Sequence, residues 1–377
     1  MTAHHDACAD CVRSSWLVGR LAGHLEQRRA ERAVIRGVLA LPDEALIAAL
    51  GGSRSAAIRA ELAAVAPAEL LARWASAGAR AICRCSGLYP QALDELPDPP
   101  AVLHLVGNAA LLSSVVPAAA SVAIVGARRA SAEATETARE LGRGCAAAGL
   151  TVISGMALGV DSAAHRGALD ATDATIAVLA CGPDRVYPPA ARRLHGEIAA
   201  RGLLVSELPL GITPYRWAFP ARNRIIAALA GLTVVVEAAV RSGSLITAEI
   251  ALELGRGVGA VPGPVSAWRS SGTNALLRDG AHVIRDARDI LDDLCGAGST
   301  SEAPRQLGFD FAGLDDRLRE ALLAVDRGAD TPAAQAATPD QLASASETLA
   351  ELELLGLVVR RDGGRYAVAP DVSRGSR

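Results

Sequence analysis

The chain has 377 residues, enough for roughly two or three domains of ordinary size, and half of the residues are apolar. Its 38 basic residues are all arginine, because the sequence contains no lysine. A Walker A loop needs a lysine to contact the nucleotide phosphates, so ATP hydrolysis by a P-loop is excluded. The formal net charge of −3 leaves a nucleic-acid partner open, since phosphate binding depends on where the arginines converge.

Three further features favour a cytoplasmic protein without membrane contact. No apolar stretch reaches the ~18 uninterrupted residues of a membrane-spanning helix. The first residues, MTAHHDACADC, lack the basic start and apolar run of a secretory signal. The seven cysteines are an odd number, which fits a reducing compartment better than a disulfide framework.

The N-terminal part of the chain follows a helical pattern, in which Leu17, Leu21 and Leu25 recur at helical spacing. A proline-marked segment over residues 89–100 ends this pattern. We therefore predict a helical, SAM-like N-terminal domain over residues 1–95.

From about residue 121 onward, short β-branched runs alternate with helical patterns. The runs are Val122–Val125, Leu150–Ile153, Thr175–Leu179, Leu203–Val205, Leu232–Val236, Gly257–Val261 and Ala281–Ile284. Continuous apolar strands separated by helices indicate a parallel sheet that is covered on both faces. We predict a Rossmann-like, doubly wound, mostly parallel α/β domain over residues 96–295. Ligands of such sheets bind beyond the carboxyl ends of the strands, so the loops there are the place to look for function.

The C-terminal part predicts a linker over residues 296–312 and a winged-helix-like domain over residues 313–377, with helices followed by a β-hairpin. Its would-be recognition helix, residues 339–355, contains four acidic residues and no arginine. Such a helix would repel phosphates. We therefore expect this domain to contact protein or to regulate, instead of docking into a DNA groove.

The first and third predicted strands each lead into a glycine with an arginine close by. Gly126 permits a close approach to the backbone, and Arg128 can reach an anion at the start of the next helix. Gly182 and Arg185 take the corresponding places after the third strand. Ordinary strand-to-helix turns with solvated arginines would have the same residues.

The second strand leads into Ser154 and Gly155, which offer a hydroxyl group and accessible backbone amides. Asp161 and His165 follow, so that a Ser/Asp/His set raises the alternative of nucleophilic catalysis. We interpret Asp161 and His165 as bracing the loop, because the G-x-S-x-G elbow of serine hydrolases is missing.

Arg222, Asn223 and Arg224 form the most informative local group. They stand just before an apolar helical pattern, with aromatic residues immediately upstream. Guanidinium groups suit phosphate oxygens, and aromatic rings suit unstacked bases. An arginine at the start of a helix opposes the helix dipole, and an anionic partner would explain its presence.

Ser242, Gly243 and Ser244 follow the fifth strand and open another helix. Their hydroxyl and amide groups could again face an anion. Together the loops predict an extended anion-binding groove at one rim of the sheet.

Four cysteines leave a separate question open. Cys8-x-x-Cys11 and Cys83-x-Cys85 could together bind zinc. A single C-x-x-C without its regular partner is a weak signal. We therefore expect no metal and no cofactor from the sequence alone.

The sequence resembles the DprA/Smf family of DNA-processing proteins over about residues 89–290. The motifs that carry the resemblance are VGARRAS (125–131), SGMALGVDSAAH (154–165), CGPDRVYP (181–188), SELP (206–209), FPARNRIIA (219–227), VVEA (235–238), RSGSLITA (241–248), AVPGP (260–264) and GTNALLRDGA (272–281). The first of these has Gly-Ala-Arg where the family usually has Gly-Ser-Arg, so one hydroxyl donor is missing.

The resemblance implies a recombination mediator that is not an enzyme. It would bind and protect single-stranded DNA, load the RecA recombinase during natural transformation and form a homodimer through the Rossmann-like domain. The family's phosphate pocket carries over to Gly126, Arg128, Ser154, Gly155, Arg222, Asn223, Ser242 and Gly243.

Two other functions remain as alternatives. Glu237 and residues 242–249 distantly resemble the nucleotide-binding loop of LOG-type phosphoribohydrolases, which share the Rossmann-like framework. A module that senses a nucleotide through the same pocket is the other alternative. Release of a free base from a nucleoside monophosphate would distinguish the hydrolase from a DNA-binding protein.

Overall fold

One β-sheet organises the larger of two structural units, which comprises residues 1–300; the smaller unit comprises residues 301–377. The computed structural model describes residues 7–28, 37–113, 115, 120–296, 315–326, 331–336, 338–361 and 365–368.

Nine strands of the described residues form this sheet, in the order β1-β2-β6-β5-β4-β3-β7-β8-β9. The strands are β1 (Arg80–Cys83), β2 (Val102–Gly107), β3 (Ser121–Val125), β4 (Thr151–Ser154), β5 (Thr175–Leu179), β6 (Leu203–Ser206), β7 (Leu232–Val235), β8 (Gly257–Ala260) and β9 (His282–Val283). Strands β3 to β9 are mutually parallel, whereas β1 and β2 pair in antiparallel fashion at one edge. The predicted Rossmann-like, mostly parallel sheet is confirmed.

The order of the strands reverses beside β3. Strand β4 lies on one side of β3, and β7, which comes much later in the chain, lies on the other. At such a switch point the two following loops leave in opposite directions and open a crevice beyond the carboxyl ends of the strands. The loops after β3, β4 and β7 therefore surround one opening.

Helices cover both faces of the sheet. They are α1 (Ala9–Gln27), α2 (Asp43–Leu50), α3 (Ser55–Ala63), α4 (Pro67–Ser76), α5 (Ala110–Ser113), α6 (Ala132–Ala147), α7 (Val160–Ala171), α8 (Arg192–Arg201), α9 (Ala218–Leu229), α10 (Gly243–Glu253), α11 (Ser271–Arg278) and α12 (Ala287–Cys295). Successive side chains of a strand point to opposite faces. In β3, Val122 and Ile124 pack with α6 and α7, whereas Ala123 and Val125 pack with α9 and α10. This two-sided burial explains why the parallel strands are continuously apolar.

The N-terminal helices pack onto the same unit as the sheet. Leu17, Leu21 and Leu25 of α1 share an apolar cluster with Trp217. The Trp217 indole Nε1–H also donates a hydrogen bond to the Ala22 carbonyl, at 2.9 Å. Since Trp217 directly precedes α9, α1 supports the start of that helix.

Strands β1 and β2 are the main additions to the predicted elements. Strand β1 lies inside the segment for which the sequence predicts helices, and it pairs with β2 from Arg80 opposite Leu105 to Cys83 opposite Val102. Strand β1 has four residues and lies among helices, and β2, which has six residues, follows the proline-marked segment, so that neither shows the flanking pattern of the central strands. The proposed boundary at residue 95 stays a prediction.

The smaller unit contains helices α13 (Asp316–Asp326) and α14 (Pro339–Leu354) and a hairpin of β10 (Val358–Arg361) and β11 (Arg365–Val368). The hairpin turn and residues 297–314, which include nearly all of the predicted linker, lie outside the described residues. The winged-helix assignment stays a prediction.

Within the described ranges, no helix is both long and apolar enough to cross a bilayer.

Arg224 of α9 belongs to a buried ionic group. Its guanidinium lies 3.0 Å from Asp98 Oδ1 and 2.6 Å from Glu207 Oε1, and it also donates to the Asp98 carbonyl. The Arg224 and Asp98 side chains are each only 2% exposed. Two carboxylates removed from most of the solvent require this cation, so Arg224 links α9 to the segments that precede β2 and follow β6.

We predict that Arg224→Ala lowers the free energy of unfolding by about 3–5 kcal/mol, because it leaves buried carboxylates without their counter-charge. Urea denaturation of the variant and the wild type measures this difference. Arg185→Ala, at an exposed arginine paired with Asp184, should change stability by at most about 1 kcal/mol. Equal stability of Arg224→Ala and the wild type would contradict the structural role of Arg224.

Candidate functional site

A cavity of about 610 Å³ opens beyond the carboxyl ends of the central strands. Its lining includes residues from the loops after β3, β4 and β7 and from the first turns of α9 and α10. The lining residues are Val125, Gly126, Arg128, Ala157, Asp161, Tyr187, Arg216, Phe219, Pro220, Arg222, Asn223, Ile226, Ser242, Gly243, Ser244, Ile246 and Thr247. Seven of the residues predicted from the sequence therefore meet here: Gly126, Arg128, Arg222, Asn223, Ser242, Gly243 and Ser244.

The charge of this lining is positive. Arg128, Arg216 and Arg222 face a single carboxylate, that of Asp161, among the described lining residues. Arg128 and Arg216 are exposed, whereas Arg222 is only 7% exposed. The cavity thus combines two solvated cations at its mouth with one desolvated cation, an arrangement that attracts and holds anions.

Arg222 is held in place on three sides. One guanidinium nitrogen donates to the Val178 carbonyl at the end of β5, Nε donates to Asn223 Oδ1 at 3.0 Å, and the Asp161 carboxylate lies 3.9 Å away. Burial lowers the pKa of Arg222 to about 10, and Asp161 opposes this shift. Burial likewise raises the pKa of Asp161, while Arg222 opposes it. Arg222 therefore stays cationic at neutral pH with a side chain that cannot turn freely.

Gly155 allows this arrangement. A Cβ atom at Gly155 would lie 1.9–2.0 Å from three atoms of the Arg222 guanidinium. The loop after β4 therefore passes over the guanidinium at a distance that only glycine permits. The Asp161 carboxylate holds the same loop by accepting hydrogen bonds from the Gly155 and Ala157 amides, at 3.2 and 3.3 Å.

The first turn of α10 closes the opposite side of the cavity. Ser242 caps this helix, its Oγ accepting a hydrogen bond from the Ser244 amide. The Asn223 side-chain amide donates to the Gly243 carbonyl at 3.3 Å and so joins α9 to α10. The amino end of a helix offers free N–H groups and a partial positive charge, which add to the attraction for an anion.

Two aromatic rings form the outer wall. The Tyr187 and Phe219 rings lie 5.4 Å apart between centroids, and the Arg128 guanidinium lies 4.9 Å from the Phe219 centroid. These three residues also line a smaller adjoining cavity of about 110 Å³. Flat apolar surfaces therefore stand directly beside the cationic cavity.

Five predicted site residues lie outside the lining of the larger cavity. Ser154 is fully buried, and its hydroxyl donates to the Ile124 carbonyl at 2.6 Å. The Gly182 amide donates to the Ile212 carbonyl, and Arg185 is exposed and paired with Asp184. Gly155 lies behind Arg222 and lines the smaller cavity.

Arg224 is the fifth, and its ion pairs turn it away from Arg222. The sequence places both arginines before an apolar helix, but α9 begins at Ala218, so both lie inside it. Residues two apart on a helix point about 200° apart. This is why Arg222 reaches the cavity and Arg224 the buried ionic group.

The Ser/Asp/His set does not form a catalytic arrangement. Asp161 accepts hydrogen bonds from loop amides, and His165 is fully buried with Nδ1 2.7 Å from the Thr175 hydroxyl. That hydroxyl donates its single proton to the Val152 carbonyl, so the His165 Nδ1–H is the donor. Asp161 braces the loop as interpreted, whereas His165 contacts β5 through Thr175 and does not brace the loop.

Arg216 is a cavity residue that the sequence analysis misses. It precedes α9 in TPYRWAF, where it belongs to none of the glycine loops used to find the site. In the sequence, only its position three residues before the FPARN segment indicates that Arg216 belongs to the site.

Comparison with known proteins now identifies the family. The sequence profile for DNA recombination-mediator protein A matches residues 80–295, more than half of the chain. The chain belongs to this family. The match begins with β1 and ends with α12, so the family-defining region contains the whole sheet and the cavity.

Similarity to individual DprA proteins supports this assignment. A protein of Mycobacterium tuberculosis that carries the DprA name is 41% identical over 272 residues, which cover 70% of this chain and 68% of the relative. The X-ray structure of DprA from Streptococcus pneumoniae superposes with a TM-score of 0.60 at 32% identity, covering 75% of this chain and 95% of that one.

A second solved DprA is described for its mode of binding single-stranded DNA. This protein, from Helicobacter pylori, superposes with a TM-score of 0.51 at 34% identity and covers 55% of this chain and 93% of its own.

We predict that buried His165 makes stability depend on pH. Burial, with a smaller contribution from Arg222, lowers the His165 pKa to about 3, whereas an unfolded histidine has a pKa of about 6.5. Between these values the unfolded chain binds the extra proton. The free energy of unfolding should therefore fall as the pH falls below about 6.5, by up to about 1.4 kcal/mol per pH unit.

Urea denaturation between about pH 7 and pH 5 tests this expectation, because most carboxylates stay ionised there. His165→Asn keeps an N–H near the Thr175 hydroxyl but cannot be protonated, so its stability should change less with pH. Identical slopes for the variant and the wild type would show that His165 is not the group responsible.

Proposed function

We propose that this DprA family member binds single-stranded DNA in the larger cavity and along its aromatic wall. The observation that carries the proposal is the position of Arg222, a desolvated cation flanked by Arg128 and Arg216. Phosphates suit these guanidinium groups, and Tyr187 and Phe219 offer faces on which unpaired bases could stack. A duplex keeps its bases stacked inside, so the aromatic wall favours single strands.

Family membership extends the proposal to a process. Single-strand binding by the Helicobacter pylori relative supports the same ligand here. We further propose that the chain acts as a recombination mediator in the cytoplasm, as a homodimer that delivers single-stranded DNA to the RecA recombinase. Natural transformation is the process that the family assignment suggests for this activity.

The hydrolase alternative receives less support from the geometry. The hydrolase alternative relies on Glu237, which is 6% exposed. Its carboxylate accepts a hydrogen bond from the Ser131 amide at 3.2 Å. Glu237 is also absent from the cavity lining among the described residues. We therefore propose binding without catalysis.

Single-strand affinity measured against salt concentration tests the binding proposal. We expect Arg128→Ala and Arg222→Ala each to weaken binding of a fluorescent oligonucleotide by roughly 10- to 100-fold, as for loss of a charge-assisted hydrogen bond. Each should also reduce the magnitude of the slope of log K against log salt by about 0.7, because one phosphate contact is lost.

Arg201→Ala is the matched control. Arg201 ends α8 and pairs with Asp173, two residues before the start of β5, so it lies at the amino-terminal edge of the sheet. The single-strand affinity of Arg201→Ala and its salt slope should equal those of the wild type. Unchanged binding by both cavity variants would refute the proposed site, and release of free base from nucleoside monophosphates by the wild type would refute the non-enzymatic function.

Gly155→Ala separates the position of Arg222 from its charge. The added methyl group would overlap the guanidinium, so we expect Arg222 to move and single-strand affinity to fall toward that of Arg222→Ala. Gly196→Ala on α8, whose Cβ would meet no atom within 4 Å, should bind as the wild type does. Wild-type affinity of Gly155→Ala would show that binding does not need Arg222 in this position.

A further inference from the structure

Four cysteines converge far from the cavity, at the junction of α1 and the sheet edge. Cys8 directly precedes α1 and Cys11 lies in its first turn, whereas Cys83 ends β1 and Cys85 follows in the next turn. Their four sulfur atoms all lie within 4.8 Å of one another. Cys8 and Cys83 are 75 residues apart in sequence, so only the folded chain brings the two pairs together.

The spacing of the sulfur atoms suits a shared metal ion. A tetrahedral site with Zn–S bonds of about 2.3 Å has neighbouring sulfurs about 3.8 Å apart. Cys11 Sγ and Cys85 Sγ are separated by 3.8 Å. A disulfide would need about 2.05 Å, and all four residues are free thiols.

The surroundings are those of a structural site. Cys11 and Cys83 belong to an apolar cluster with Val12 and Trp74, whereas Cys8 and Cys85 are exposed. The Cys8 amide donates to Cys83 Sγ at 3.4 Å, so the two cysteine pairs are in direct contact. The four-cysteine cluster contains no carboxylate, and soft sulfur ligands select Zn²⁺ over Mg²⁺ or Ca²⁺.

We propose that Cys8, Cys11, Cys83 and Cys85 bind one Zn²⁺ ion that fastens α1 to the edge strand β1. Four protein ligands complete a tetrahedron and leave no open position, so the ion stabilises the fold and does not activate a substrate. A second contact supports the same junction, since Ser15 Oγ of α1 lies 2.9 Å from His104 Nε2 of β2. The ion holds the start of α1, whose later turns contact Trp217 at the beginning of α9.

Metal content of the full chain, purified without a polyhistidine tag from zinc-supplemented cells, tests this proposal directly. Plasma mass spectrometry should find about one zinc per chain in the wild type. Cys8→Ser and Cys85→Ser, which change the two exposed members, should each lose most of the metal. Cys295→Ser removes an exposed cysteine outside the cluster and should keep the wild-type content.

Thermal unfolding provides a second measurement on the same proteins. A chelator should lower the Tm of the wild type and of Cys295→Ser, because an ion that binds only the folded chain stabilises it. The double variant Cys8→Ser/Cys85→Ser should start at a lower Tm and respond little to the chelator.

A titration with cobalt needs only the wild-type protein, so it tests the proposal even if the serine variants fold poorly. Wild-type protein freed of metal and titrated with Co²⁺ should develop the strong visible absorption of tetrahedral cobalt thiolate, saturating at one equivalent. Wild-type protein that contains no zinc and shows no such absorption would overturn the proposal. So would zinc retained by Cys8→Ser/Cys85→Ser, or disulfides mapped among these four cysteines in protein isolated anaerobically.

Discussion

The candidate site depends on the burial of one cation, the guanidinium of Arg222, beneath the loop that follows β4. A charge of this kind costs free energy to desolvate unless other groups compensate it. The Val178 carbonyl and the Asp161 carboxylate provide part of this compensation. The compensation is incomplete, since the closest approach to Asp161 is 3.9 Å, and an anion in the cavity would supply the rest. Gly155 is the steric condition for the whole arrangement, because any side chain there would displace the guanidinium.

Helix α9 connects this cation to the remainder of the fold. Its start is held by Trp217, whose indole reaches α1, and its second turn presents Arg222 to the cavity. Arg224 anchors the same turn on the other side through Asp98 and Glu207. A residue that lines the cavity and a residue that anchors the helix thus lie two positions apart on α9, and contacts on both sides position Arg222. A zinc ion at the other end of α1 would add to the same support.

The sequence predicted the central strands well because each is buried on both faces and therefore continuously apolar. It missed β1 and β2, because β1 lies in a segment with a helical pattern and β2 follows the proline-marked segment. Seven of the twelve predicted site residues line the cavity, because glycine and serine loops after parallel strands must meet at one edge. The functions of Ser154 and Arg224 depend on the direction of a side chain, which residue type does not reveal. The sequence raised a shared site for the four cysteines only as an open question, since the two pairs come together only when β1 lies beside α1.

The distribution of acids and bases around the cavity favours binding over chemistry. General acid–base catalysis needs a titratable group free to exchange a proton with a ligand. Asp161 instead accepts hydrogen bonds from two loop amides, and Glu237, which does not line the cavity, accepts one from the Ser131 amide. His165 is neutral and buried against Thr175. The groups that remain to meet a ligand are guanidinium, amide, hydroxyl and aromatic groups. Such a surface fits the proposed binding of a phosphate chain without catalysis.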